Sequence, residues 1–541
     1  MLTPYAIHNN SAGVAGGQTA LEHYFAAFRA GIIGRQQTFE SPFGKKEILY
    51  ADWTASGRAY RPIEACIQNE IMPFVANTHT EATVTGAMMS KAYKEAKDIV
   101  KRHVNANNQD VLIFCGSGMT AAVNKLQRIL GLRIPERVED YMRGEDRQET
   151  GSWKGRLINR NSIPAEWLSV DETLRPVVFV THMEHHSNHL SWLETIATVE
   201  IIKSAKNGNV DLDHFRSLLE RFKHRKNKIA AITACSNVTG IQTPYHDIAK
   251  LVHAYGGLCF VDFACSAPYV TINMHPAEKS AALDAIYFSP HKFLGGPGTA
   301  GVLIFSNKLY KNSIPDQPGG GTVVYTNPWR VHEYCAAIEE REDGGTPPFL
   351  QGIKAAMCVR LKEAMGVDNM LKREVELLEI VFNRFSKMDT VQLLEGNIKS
   401  RLGIVSFMVK GAHYNLIVQL LNDRFGIQTR GGCSCAGTYG HLLLKVDEAR
   451  SYEILNQIHS GNLLCKPGWT RLSLHPTMTN AEIDFIMDAI EQTAVHFAEW
   501  SEAYTYDAAS NQYTFNGVAP KEQDRVNNWF NVSTRGAGIG R

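Results

Sequence analysis

A chain of 541 residues is long enough to bury a large core and to form more than one domain. Lysine and arginine number 56 against 55 acidic residues, a formal charge of +1, which gives no electrostatic footprint for nucleic acid or an anionic membrane. Hydrophobic residues make up 44% and charged residues 21%, and no stretch approaches eighteen uninterrupted apolar residues, so a soluble globular protein with no membrane span is expected.

The N-terminus lacks the basic segment, apolar stretch and small-residue cleavage site of a secretory leader. Several of the ten cysteines sit inside apolar runs, as in Gly-Leu-Cys259-Phe-Val. That usage predicts reduced thiols in a cytoplasm rather than a disulfide framework.

Residues 1–45 read as an N-terminal extension, in which Leu21, Tyr24, Phe25 and Phe28 are spaced as one face of a helix. Across 46–350 short apolar runs alternate with helical patterns. The runs are Val111–Phe114, Val177–Val180, Ile229–Thr233, Leu258–Val261, Ala285–Phe288 and Val302–Phe305. Such alternation predicts an α/β fold whose large domain is a mostly parallel sheet flanked by helices. A polar, charged interruption at roughly 135–175 shows no clean period and reads as a surface insertion. From 351 to 500, long helical patterns surround strands at Ile404–Val409 and Thr470–Leu474, which predicts a smaller α/β domain. Residues 501–541 read as an accessory tail.

Ligands of open α/β sheets bind beyond the carboxyl ends of the strands, and the unusual residues of this chain fall there. The first run leads into Gly116-Ser117-Gly118-Met119-Thr120 and a helical pattern, a turn whose backbone N–H groups suit a phosphate. After the second comes Thr-His-Met-Glu184-His185-His186-Ser-Asn188. No carboxylate or cysteine stands at a ligand spacing beside these histidines, so no metal is assigned. Ser236-Asn237-Val follows the third run, and Asp262 ends the fourth. A carboxylate ending a buried strand is costly unless a cation pairs with it. The fifth leads into Ser289-Pro-His291-Lys292-Phe-Leu-Gly-Gly-Pro-Gly. An amine beside an apolar wall loses its proton readily and becomes a nucleophile toward a carbonyl. Lys292 and Asp262, one crossover unit apart, suit pyridoxal phosphate: lysine for the aldehyde, carboxylate for the pyridinium nitrogen.

These motifs together resemble the class V aminotransferase group of fold-type I pyridoxal-phosphate enzymes. Within it the likeness runs to cysteine desulfurases and selenocysteine lyases, and to the aminotransferase-like domain of molybdenum cofactor sulfurases. The resemblance covers roughly 46–495 without the insertion. It implies a seven-stranded-type sheet and a small domain joined by the N-terminal segment. It also implies roles for individual residues. Lys292 would carry the cofactor and shuttle the Cα proton, His185 would stack on the ring, and Asp262 would pair with the ring nitrogen. Asn237 would bond the ring hydroxyl, while Ser117, Gly118, Met119, Ser289 and His291 would hold the phosphate. In Arg341-Glu-Asp-Gly-Gly-Thr346-Pro, after Gly319-Gly-Gly321, Thr346 matches the threonine that reaches the phosphate of a neighbouring subunit, which implies a homodimer with shared sites. Arg471 matches the arginine that clamps the substrate carboxylate, with Arg430 and Asn188 as further substrate-binding candidates.

In Thr429-Arg430-Gly-Gly-Cys433-Ser-Cys435-Ala-Gly, Cys435 lies five residues after the arginine, where the desulfurase pattern has its sulfur-accepting cysteine. That implies L-cysteine as substrate, L-alanine as product, a persulfide on Cys435 and a sulfur-acceptor protein as partner. Cys433 is similar to the first cysteine of the Gly-Cys-x-Cys arrangement of cofactor sulfurases. The chain departs from the desulfurase pattern at Cys265, where glutamine is common. Transamination, epimerisation or β-elimination on a small amino acid therefore stays open as an alternative, as does a non-catalytic scaffold retaining the fold.

Overall fold

The computed structural model describes residues 19–78, 80, 82–143, 171–517 and 522–530. Its centre is a seven-stranded sheet of β1 (Asp110–Cys115), β2 (Val177–Thr181), β3 (Thr198–Ile202), β4 (Lys228–Thr233), β5 (Leu258–Asp262), β6 (Ala285–Phe288) and β7 (Gly301–Ser306). Their spatial order is β1-β7-β6-β5-β4-β2-β3. Only β7 runs against its neighbours, β1 and β6; the pairs β6–β5, β5–β4, β4–β2 and β2–β3 are parallel. Both faces are covered, as a parallel sheet requires. Leu112, Phe114 and Phe179 enter one apolar cluster, and Val111, Ile113, Val178 and Val180 enter the other. This is why the strands read as continuous apolar runs. The sheet has the seven strands that the resemblance implies; the one that no apolar run marked is β3, which lies at the sheet edge, half-exposed, and carries Glu200 in its middle.

The helices that matter for the site are α1 (Val84–His103), α2 (Met119–Ile129), α3 (His186–Leu193), α4 (Phe349–Met365), α5 (Val367–Phe385), α6 (Tyr414–Phe425) and α7 (Asn480–Ser501). A second sheet has four strands, Val391–Leu393, Ile404–Val409, Trp469–Ser473 and Arg430–Gly432 in spatial order. The two short outer strands were not anticipated, since three residues give no readable alternation.

The N-terminal segment is tied to this second unit. Leu49–Tyr50 pairs in parallel with Ile427–Gln428, and Arg373 of α5 donates to Glu22 and to Met478 O. The helix expected around Leu21–Phe28 is two short helices, Ala20–Tyr24 and Ala26–Ala30, with Phe25 and Phe28 buried. Of the stretch at 135–175, Glu136–Arg143 is helical and Glu172–Leu174 forms a 3-10 turn, so its flanks are more regular than its pattern suggested. Residues 144–170 lie outside the described residues. The tail is also partly built in. A hairpin of Tyr504–Asp507 and Gln512–Phe515 packs with Leu416, Leu420 and Phe43. Among the described residues, no helix is long and apolar enough to cross a membrane.

Candidate active site

Five strand ends converge on one cavity of about 710 Å³, lined by Ser117, Gly118, Met119, His185, Asn237, Asp262, Ser289, His291, Lys292, Arg430, Cys435 and Arg471. The convergence follows from topology: β1, β2, β4, β5 and β6 all point the same way. β7 returns antiparallel and starts at the same edge, so Gly301 passes beside the β1–α2 turn. A Cβ there would lie 2.4 Å from Gly118 O, leaving room only for glycine.

Lys292 closes a short 3-10 turn, Pro290–Lys292, just past β6. Burial lowers its pKa, Cys265 and Asp262 oppose that fall, and Arg471 adds to it. Asp262 ends the adjacent strand β5, with Oδ1 accepting from the Ala264 N–H at 2.8 Å. Burial pushes its pKa up to about 6, against the Ala264 bond and the Lys292 charge. A buried carboxylate held this high is one that lacks a close cation.

His185 caps α3, its Nδ1 accepting from the Ser187 N–H at 3.1 Å, which fixes the ring over the cavity. Burial, and then Lys292, drop its pKa to about 3, so the imidazole is neutral. His291 is likewise held down, to about 4, by burial and Lys292. At the β1–α2 turn, Ser289 Oγ accepts from the Met119 N–H at 2.8 Å. The Met119 amide, expected among the phosphate donors, is engaged here by that hydroxyl. The bond locks the turn to the Lys292 segment. A Cβ on Gly118 would lie 3.0 Å from Ser289 Oγ and 3.5 Å from the His291 ring, so this cradle is shaped by the absence of a side chain.

Asn237 does more than was expected. Its Nδ2 donates to Ser434 O at 2.7 Å, while Oδ1 is buried without a partner. Arg471 is buried, donating from Nη1 to Asn237 O at 3.1 Å and from Nη2 to Asp52 Oδ1 at 2.8 Å, with Nε left unpartnered. Arg430 reaches the other oxygen of Asp52 through Nε at 2.9 Å. Asp52 thus holds both arginines at once, and sequence reasoning missed it: nothing in Ala-Asp52-Trp marks a carboxylate whose partners are 378 and 419 residues away.

Asn188 was expected at the substrate and is not there. Its side chain is fully buried beneath α3, donating to Glu184 and Ala231 O and accepting from Trp192 and Tyr287. The helix turns it toward the sheet, away from the cavity. Thr346 is exposed and lines an adjoining depression with Ser117, His291, Lys125 and Arg128, outside the Lys292 cavity of its own chain. Cys435 is exposed at the cavity rim, and Cys433 is half-buried against the core. Cys265 also lines the cavity, and its thiol donates to Cys235 O at 2.9 Å. All ten cysteines are free thiols. Among the described residues no group of three His, Cys, Asp or Glu side chains is arranged to hold a metal.

A lysine and a carboxylate on neighbouring strand ends, beneath a neutral imidazole and beside a buried arginine, define a carbonyl-cofactor enzyme of the α/β type. The aminotransferase class-V profile matches residues 166–486, and the chain belongs to that family of pyridoxal-phosphate-dependent enzymes. It is 25% identical over 397 residues to a probable cysteine desulfurase of Halalkalibacterium halodurans, covering 72% of this chain and 84% of the relative. It is 24% identical over 458 residues to one of Staphylococcus aureus, covering 84% and 94%. The fold is shared with a cysteine desulfurase from Thermococcus onnurineus NA1, determined in its apo form, at a TM-score of 0.63 and 22% identity, covering 83% of this chain and 95% of the other. The cysteine desulfurase CsdA of Escherichia coli gives 0.63 and 19% identity, covering 87% and 98%.

Proposed function

We propose that this enzyme is a cysteine desulfurase: it takes L-cysteine, releases L-alanine and retains the sulfur as a persulfide on Cys435. The observation that carries the reading is that Cys435 and Lys292 line one cavity with the buried Arg471. The curated relatives of that name support it.

The residues present fit pyridoxal phosphate. Asp262 is a buried carboxylate in want of a cation, Asn237 Oδ1 is a buried acceptor without a donor, and the Gly118 cradle would be filled by any side chain. Lys292, Asp262, His185 and Asn237 would hold the ring; Ser117, Gly118, Ser289 and His291 would hold the phosphate. The cofactor supplies an aldehyde and an electron-withdrawing ring, which loosen the Cα proton and the carbon–sulfur bond of a bound amino acid.

The chain does the rest. Arg471 offers its open Nε–H edge to the substrate carboxylate, and the guanidinium fork fixes the Cα orientation. Lys292, its pKa lowered, moves the Cα proton. Cys435 attacks the substrate sulfur: a sulfur–sulfur bond forms, the carbon–sulfur bond breaks, and Cβ gains a proton. Cysteine plus the Cys435 thiol become alanine plus the Cys435 persulfide, with no external oxidant. Exposure at the rim leaves that persulfide within reach of an acceptor protein. Thr346, exposed beside the phosphate cradle, would serve a second copy of the chain. Cys435→Ser tests the reading, because a hydroxyl is a far poorer nucleophile toward sulfur. L-Cysteine should still bind and change the visible absorbance, while alanine formation stalls. Alanine at the wild-type rate would sink the persulfide mechanism.

A further inference from the structure

The histidine after the ring-stacking one faces away from the cofactor residues and toward the segment that bears Cys435. His186 is the first residue of α3. Its backbone N–H donates to Cys435 O at 2.7 Å, and its Nε2 accepts from the Gly437 N–H at 2.8 Å. One side chain and its own amide therefore bracket the cysteine. Asn237 holds the preceding carbonyl, that of Ser434, at 2.7 Å. Between these contacts Ser434 and Cys435 stand at φ of 51° and 56°, two consecutive non-glycine residues in the left-handed region. L residues adopt that conformation reluctantly, and seldom two in a row. Such strain persists only where the surroundings impose it, and here the surroundings are His186 and Asn237.

We propose that His186 is a positioning residue: a two-bond clamp that holds the Cys435 segment against the Lys292 cavity in its strained form. The proposal rests on the desulfurase reading for its purpose, since a thiolate must be aimed at the substrate sulfur. The clamp itself is measurable without turnover. Gly437 lies close against the ring, where a Cβ on it would be 3.0 Å from His186 Nε2. The acceptor at His186 is an unprotonated nitrogen, and burial, followed by the Lys466 charge, lowers that imidazole's pKa.

The test is a graded series in the holoenzyme, read by hydrogen–deuterium exchange of the peptide spanning 433–438. His186→Gln keeps the N–H and an acceptor oxygen, and should exchange as wild type does. His186→Ala loses one bond and should exchange about fivefold faster at Gly437, the weight of one hydrogen bond. His186→Pro loses both. Proline is accepted at the first position of a helix, and His185 before it is already extended at φ −68° and ψ 149°, as a residue preceding proline must be. That variant should exchange more than about tenfold faster across 434–438, with α3 itself unchanged. Alanine formation should fall in the same order through kcat, with KM for L-cysteine held, because Lys292 and Arg471 are untouched. Wild-type exchange at 434–438 in His186→Pro would overturn the clamp. So would exchange that rises through the whole of α3, since the loss would then belong to the helix. A wild type that makes no alanine while the exchange series holds would refute the desulfurase reading and leave the clamp supported.

Discussion

Removing Asp52 should disable substrate capture before it disables the cofactor site. The carboxylate accepts from Arg471 at 2.8 Å and from Arg430 at 2.9 Å, and the two bonds differ in weight. Arg471 and Asp52 are both buried, so Asp52→Ala leaves a buried guanidinium without its counter-charge; breaking such a pair costs about 3 kcal/mol. Arg430 is half exposed, and its arm contributes below about 1 kcal/mol once solvent screening is allowed for. Asp52 also fixes the orientation of the Arg471 fork, which a carboxylate at the open Nε–H edge needs and does not itself restore, so part of that weight is lost from substrate binding. We expect KM for L-cysteine to rise about 10- to 100-fold, roughly 1.4–2.7 kcal/mol, with kcat falling much less. Asp52→Asn, which keeps an oxygen acceptor but no charge, should fall between. Steady-state kinetics of alanine release, with cofactor absorbance as the check on the remaining site, decide it. An Asp52→Ala enzyme with wild-type KM would show that Arg471 needs no partner to meet a carboxylate.

Three further outcomes follow from the site. Lys292→Ala should abolish turnover, and borohydride treatment of the wild type should leave the cofactor mass on the peptide containing Lys292; finding it on another lysine would overturn the assignment. Asp262→Asn should slow chemistry severely yet stabilise the cofactor-free protein. The folded pKa of Asp262 is raised to about 6 from 3.8, so its buried charge is a cost that is absent below the unfolded value, grows between the two and is complete above about pH 6. The variant's gain in apoenzyme melting temperature should therefore be full at pH 8 and small at pH 4; equal gain at both would contradict it. Light scattering should give a homodimer, and a fully active monomer would refute a shared site at Thr346.

Most of the large sheet was legible because burial on both faces leaves an uninterrupted apolar run, as at Val177–Thr181. The edge strand Thr198–Ile202 was not, because its half-exposed residues resemble a loop. Lys292 and Asp262 could be found because parallel strands deliver their carboxyl ends to one place. Asn188 misled because adjacency to His185 says nothing about direction: His185 is the extended cap of the helix, whereas Asn188 lies within the helix on the side that meets Glu184 and the Ala231 carbonyl of the sheet. Asp52 had no local signal at all, its role existing only between distant segments. Asn237 lines the cavity, but its hold on Ser434 depends on a loop nearly two hundred residues later.

The bond between Asp52 and Arg471 joins residues 419 apart in the chain, and the strand Leu49–Tyr50 finds its partner only at Ile427–Gln428. During synthesis, at about 5–20 residues per second, the first of these waits roughly 20 to 80 seconds for the second. Through that interval Trp53 and the apolar strand beside it have no docking surface, and the large sheet must form without them. The order of assembly is thus written into the connectivity: scaffold first, arginine pair last. A nascent chain halted near residue 420 would carry Lys292 and Asp262 on a formed sheet, yet have neither the arginine pair nor the cysteine segment to act with.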